Sequence, residues 1–265
     1  MTNALDELRS DLAAEQEALD AVVANISNDR WQLSTPSPGW TVADQIGHLT
    51  FFDRSATIAI VDAPRFQEDL SALIDAASND SLDDVTLRGY RALTSSDLLE
   101  AWREGRRTLQ DAALTLSDDV RLPWYGPSMS AKSFLTARLM ETWAHGTDVV
   151  DALGATRRAT DRLRHVAQLG YLTRAWSYRV HGDEAPEGNI RVELLSPSGQ
   201  LWTWGPEDAR ERMTGSAEEF CLVVTQRRHV DDTSLQYGDL GRDWLLRAQA
   251  FAGGPSTGPL PRSAA

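Results

Sequence analysis

The chain has 265 residues, 42% of them hydrophobic, enough for one large domain or two modest ones with a sizeable core. A formal net charge of −13 argues against a nucleic-acid binder, whose partner demands a basic face, and equally against an anionic membrane surface. Cys221 is the one cysteine, which excludes an internal disulfide and any multi-thiolate metal site.

The start of the chain, Met1 to Leu8, is acidic and amphipathic, unlike a signal peptide. No apolar run approaches a membrane span, so the expectation is a soluble, cytoplasmic protein. A first helix is predicted near 2–28, where Leu5, Leu8, Leu12, Leu19, Val22, Val23 and Ile26 form an apolar stripe among acids. A loop rich in Ser, Pro and Gly follows. Thr41 then reads as an N-cap, with Asp44 in the capping-box position. The helix it opens carries Ile46, His48, Leu49 and Phe52 toward a core and runs to about Val61. Residues 62–94 are polar, with short helical pieces.

Ser95 or Ser96 is placed to cap a third long helix, with Leu98, Leu99, Trp102, Leu109, Ala113 and Leu116 on its buried side. Leu122 to Ser128 holds two prolines and a glycine, which forbid a continuous helix. A fourth helix runs from near Ser130 to Gly154, a C′ stop. Four long helices joined by loops predict an antiparallel bundle. A fifth helix, about 158–180, bridges out of it. Beyond a linker at 181–188, Ile190–Leu195 and Leu201–Trp204 read as a hairpin, followed by helical stretches near 216–229 and 241–251. The predicted organisation is therefore mainly α: a bundle over 1–155, a bridging helix and linker over 156–184, a smaller α/β domain over 185–253, and a disordered tail over 254–265.

Chemistry concentrates in Glu141-Thr-Trp-Ala-His145 and the distant His48. A spacing of four puts Glu141 and His145 one above the other on a helix. Both sit among Leu139, Met140, Trp143 and Ala144, where a carboxylate is costly to bury without a strong partner. A shared divalent ion, with His48 as third ligand from a facing helix, is one reading; a hydrogen-bonded core histidine beside a surface Glu–His pair is the other. Three protein ligands would leave a coordination position open, as in catalytic zinc sites.

Around this trio stand further candidates. Asp148 or Asp44 is placed to orient its neighbouring histidine, although Asp44 is better explained by the helix N-terminus. Arg138 is a candidate catalytic residue that clamps Glu141, meets an anionic substrate or forms a structural ion pair. Trp124 and Tyr125 either wall a pocket over the ion or pack an inter-helix turn. Arg227 and Arg228 either complement a helix dipole or hold a cosubstrate. Lys132 is the one lysine, so Schiff-base chemistry has a single candidate.

Pro38-Gly-Trp-Thr-Val-Ala-Asp-Gln-Ile-Gly-His-Leu49 resembles the second-helix signature of DinB-like metalloproteins. Arg138-Leu-Met-Glu-Thr-Trp-Ala-His-Gly-Thr-Asp148 is similar to the fourth-helix signature of their mycothiol-dependent maleylpyruvate isomerase branch. The resemblance covers the bundle to about residue 155 and is weaker beyond. It implies a DinB-like bundle with zinc on a His, a Glu and a second His, carried over here as His48, Glu141 and His145. It also implies an external thiol, mycothiol, which adds to a cis double bond, lets it rotate, and is eliminated to give the trans isomer. Between 62 and 94 no arginine motif matches a family substrate site, though Arg88 and Arg91 are available. The expectation is thus a zinc- and thiol-dependent isomerase or S-transferase acting on a small electrophile such as maleylpyruvate, as a monomer or homodimer. The alternatives are a thiol-free, metal-dependent hydrolase, lyase or cyclase, and a non-catalytic metal- or ligand-binding module.

Overall fold

In a computed structural model, which describes residues 4–78 and 80–264, the first leucine stripe folds as α1, Ala4–Val23. Leu5, Leu8, Leu12 and Leu19 are buried along it, as a one-sided helix requires. The helix stops short of the predicted end at 28 because the chain enters a 3-10 turn, Asn28–Gln32, that drives Trp31 into the core. Residues 2 and 3 of that prediction lie outside the described residues.

Helix α2, Val42–Val61, starts with the predicted capping box. Asp44 N donates to the Thr41 hydroxyl, and Thr41 N donates back to the Asp44 carboxylate at 2.9 Å. The polar stretch after it forms two helices, α3 (Ala63–Ala77) and α4 (Leu82–Arg91). Their periodicity is faint in sequence because α3 buries Phe66 and Leu73 and α4 buries Thr86 and Leu87, all other positions being at least partly exposed. A Cβ at Gly47 would stand 3.1 Å from the Tyr90 Cβ, so the glycine lets α4 approach α2 closely.

Helix α5 spans Ser95–Ala113, and its cap is Thr94 rather than Ser95 or Ser96. The Thr94 hydroxyl accepts from Asp97 N and donates to the Asp97 carboxylate at 2.7 Å. The Pro/Gly turn is flanked by a two-stranded ribbon, β1 (Arg121–Leu122) and β2 (Met129–Ser130), too short to announce itself in sequence. Helix α6, Ala131–Leu153, is capped by Ser130 and ends at Gly154, whose φ of 56° is left-handed. Helices α1, α2, α5 and α6 form the bundle. Its core joins Leu19 and Val23 of α1, Ile46 and Leu49 of α2, Leu98 and Trp102 of α5, and Val149 and Leu153 of α6.

The chain divides into two compact units, Met1–Arg157 and Arg158–Ala265. In the second, the predicted helix over 158–180 is two helices, α7 (Leu163–Leu172) and α8 (Arg174–Val180). Thr173 breaks it: its hydroxyl turns back onto the carbonyls of Leu169 and Gly170, competing with the helical ladder. The hairpin forms as β3 (Ile190–Leu195) and β4 (Leu201–Trp204), antiparallel with Leu194 opposite Trp202. A third strand, β5 (Glu211–Ser216), joins parallel to β3 in the order β4-β3-β5. Sequence patterning misses it because Met213 alone in that strand is fully buried.

Helix α9 is Ala217–Val224 and α10 is Asp239–Leu245, both shorter than the stretches predicted. After α9 the chain turns at Gln226, with φ 60°, and the amides of Arg227 and Arg228 both return to the Leu222 carbonyl. Beyond α10, the Ser256 hydroxyl sits 2.9 Å from Gln226 Oε1 and 3.1 Å from Gln249 Oε1.

Candidate metal centre

Helix α2 brings His48 and α6 brings Glu141 and His145 to one place in the bundle. One ligand atom from each lies within 4.8 Å of the others. The Glu141 carboxylate stands 3.0 Å from His145 Nε2 and 3.7 Å from His48 Nε2. Two ligands about 2.1 Å from a tetrahedral ion stand about 3.4 Å apart, so the spacing suits one small cation. The three side chains are partly or largely shielded from solvent. Burial works against the Glu141 charge, yet hydrogen bonds and charge from His145 and His48 outweigh it and hold the carboxyl well below the ordinary carboxylate range. Two imidazole nitrogens and an ionised carboxylate are a donor set that zinc accepts.

Several residues that frame the trio were not singled out by sequence reasoning. Gln45, three residues before His48 and fully buried, presents Oε1 to His145 Nδ1 at 2.5 Å. Its amide nitrogen donates to Thr35 Oγ1 at 2.9 Å, and that hydroxyl donates to the Trp40 carbonyl at 3.0 Å. The Trp40 ring stacks on His145, with centroids 5.8 Å apart and planes 15° from parallel, and also touches His48 at 5.1 Å. Trp40 Nε1 donates to Asp83 at 2.9 Å, which pins the indole. Phe52 lies one turn on from His48, with ring centroids 4.5 Å apart. No local spacing in the sequence points to Gln45, because the histidine it meets lies 100 residues away on α6.

Trp124 and Tyr125 reach the centre through Phe52, whose ring lies 6.2 Å from Trp124 and 5.2 Å from Tyr125. Trp124 stacks on Phe66 of α3 with planes 10° from parallel. The Tyr125 hydroxyl donates to Ser55 at 3.0 Å, and burial pushes its pKa up. The loop is therefore anchored to α2 and α3 and extends the aromatic lining beside His48. Asp148 accepts from the Ser37 hydroxyl at 3.0 Å, tying the Pro-rich loop to α6. Asp44 serves the capping box and pairs with Arg91 at 2.7 Å.

Of the three courses open to Arg138, the structure shows the ion pair. Its Nε and Nη2 both reach one oxygen of Asp53, at 3.1 and 2.7 Å, with both side chains buried. Arg88 pairs with Asp80, and Arg91 with Asp44 and Asp84. Arg227 and Arg228 belong to the second unit, past the end of α9, and Arg227 Nη1 donates to the Thr225 carbonyl at 2.6 Å. Cys221, on α9, is fully buried, and burial pushes its thiol well above the usual range.

A family model described as the mycothiol maleylpyruvate isomerase N-terminal domain matches residues 12–150. A second, described as wyosine base formation, matches residues 185–236. Two uncharacterized proteins of Mycobacterium tuberculosis, MT0041 and Rv0036c, are each 48% identical over 254 residues, covering 94% of this chain and 96% of the relative. Among solved structures, a mycothiol-dependent maleylpyruvate isomerase matches with a TM-score of 0.58 at 16% identity, covering 97% of this chain and 99% of the other. A variant of that enzyme with a histidine replaced by alanine gives the same TM-score at 15% identity. At these identities the structural likeness carries the fold.

Proposed function

Because the chain belongs to the mycothiol maleylpyruvate isomerase N-terminal domain family, we propose that it is a zinc- and thiol-dependent isomerase or S-transferase, acting in the cytoplasm on a small electrophile with mycothiol as cosubstrate. The observation that carries the proposal is the convergence of His48, Glu141 and His145 within 4.8 Å. A divalent ion held there lowers the pKa of a bound thiol or water and so supplies a nucleophile at neutral pH.

The chain's own residues do the rest. Glu141 supplies the negative charge that holds a cation in a largely apolar bundle, beside two neutral imidazole donors. Trp40 and Phe52 cover the histidine rings and limit water around them. Trp124 and Tyr125 continue that lining, offering flat apolar surface to the electrophile. Arg138 and Asp148 hold the supports in register, Arg138 through Asp53 of α2 and Asp148 through Ser37. The nucleophilic sulfur comes from outside, because the Cys221 thiol is buried and resists ionisation.

The test is metal analysis of the purified chain beside His48→Ala and His145→Ala, followed by addition of mycothiol to the cobalt-substituted protein. The expected result is one zinc per chain, lost in both variants with helical content kept, and a sulfur-to-cobalt charge-transfer band on adding thiol. Full occupancy in both variants would overturn the ligand assignment. A missing band, with turnover of maleylpyruvate unchanged by thiol, would favour the water-based hydrolase, lyase or cyclase reading.

A further inference from the structure

The geometry points to Gln45 as the positioning residue that fixes the tautomer and orientation of His145, leaving Nε2 of that ring as the ligand atom. This rests on the metal reading above. The argument begins with Thr35. Its hydroxyl has one proton, and that proton is given to the Trp40 carbonyl at 3.0 Å. The same oxygen therefore meets Gln45 as an acceptor and takes an N–H of the amide at 2.9 Å. That contact sets which way the amide faces. Flipping it would take the hydroxyl proton away from the Trp40 carbonyl and turn the amide's donor nitrogen toward His145 Nδ1.

With its nitrogen committed to Thr35, Gln45 turns Oε1 to His145 Nδ1 at 2.5 Å. A carbonyl oxygen can only accept, so Nδ1 must carry the hydrogen. The Nε2 side of the ring faces Glu141 at 3.0 Å and looks toward the shared cation position. A ligand histidine whose other nitrogen donates to a fixed oxygen is held in the binding tautomer and is more basic. Carboxylates and backbone carbonyls commonly fill that role; here a side-chain amide does. Gln45 is fully buried, so water does not compete for its oxygen. It sits on the same helix as His48, and one short segment thus supplies one ligand and orients the other.

Two measurements decide the matter. The first compares zinc affinity, by chelator competition, in the wild-type chain, Gln45→Leu and Gln45→Glu. Gln45→Leu keeps the volume and removes the acceptor, and affinity should fall about 10- to 100-fold. Gln45→Glu keeps an acceptor and should retain affinity within about threefold of wild type, well short of that loss. Equal affinity in wild type and Gln45→Leu would overturn the proposal, as would equal losses in both variants. The second is long-range proton–nitrogen NMR on the zinc-loaded wild-type chain, which needs no variant to fold. It should show His145 protonated at Nδ1, and a ring protonated at Nε2 would overturn the proposal. A wild-type chain that binds no zinc would sink the metal reading itself, a result separable from either outcome for Gln45.

Discussion

At the scale of single residues, the pair of Arg138 and Asp53 shows how the bundle tolerates charge close to the candidate metal centre. Both side chains are almost wholly buried. Burial raises the Asp53 pKa while the Arg138 guanidinium works to lower it, and the burial effect is the larger. Gln16 adds a hydrogen bond at 3.3 Å to the second Asp53 oxygen. Removing the cation alone would strand a buried carboxylate, a loss of about 3–5 kcal/mol. Arg138→Leu should therefore lower the urea midpoint strongly. The double variant Asp53→Leu with Arg138→Leu should recover much of that loss, because neither charge is then left alone. If the double variant were as unstable as Arg138→Leu, the deficit would lie in packing rather than in the unpaired charge.

At the scale of elements, α2 matters most, since it carries His48, Gln45 and Asp53. Its start is fixed by the Thr41 capping box, which satisfies backbone donors that no helical carbonyl reaches. Thr41→Ala should cost about 1 kcal/mol in equilibrium unfolding, and Thr41→Ser should cost much less. Equal losses in the two would place the effect in the threonine methyl rather than in the cap. This helix was readable in the sequence because cap, apolar spacing and length agreed, and the same holds for α6 with Ser130 and Gly154 at its ends. The convergence of Glu141 and His145 was legible for a related reason: an i,i+4 pair has one geometry on a helix. What escaped was whatever depends on partners far along the chain. Gln45 acquires a role only when α6 brings His145 against it, 100 residues away. Strand β5 is a strand because β3 offers it a ladder, while its own residues, Glu-Arg-Met-Thr-Gly-Ser, carry little apolar alternation. The break at Thr173 likewise turns on a local hydroxyl contact that periodicity does not register.

At the scale of the whole molecule, an acidic chain with a net charge of −13 leans on its arginines to hold the carboxylates it buries. The clearest case joins α1 to α5. Asp20 takes two hydrogen bonds from Arg103, at 2.8 and 2.7 Å, and a third from Arg106 at 2.8 Å. The hydrogen bond from Arg103 is the largest influence on Asp20, and with the charge of both arginines it outweighs burial, so the pKa lies below its ordinary value of 3.8. A folded pKa below the unfolded one means that the unfolded chain binds the proton first. The stabilisation is thus complete above the unfolded value and drains away as the pH falls through about 4 toward the folded pKa. Asp53 has the opposite sign: its raised folded pKa means that acid favours the native state at that position. The two effects are separable by substitution. Asp20→Asn should destabilise the chain at pH 7, and its thermal midpoint should converge on that of wild type between pH 4 and the acid limit. The check is a pair of melting curves taken at intervals from pH 7 to pH 3. A constant gap between wild type and Asp20→Asn across that range would mean that the Asp20 charge contributes nothing to the joint between α1 and α5, and that its hydrogen bonds act equally well without it.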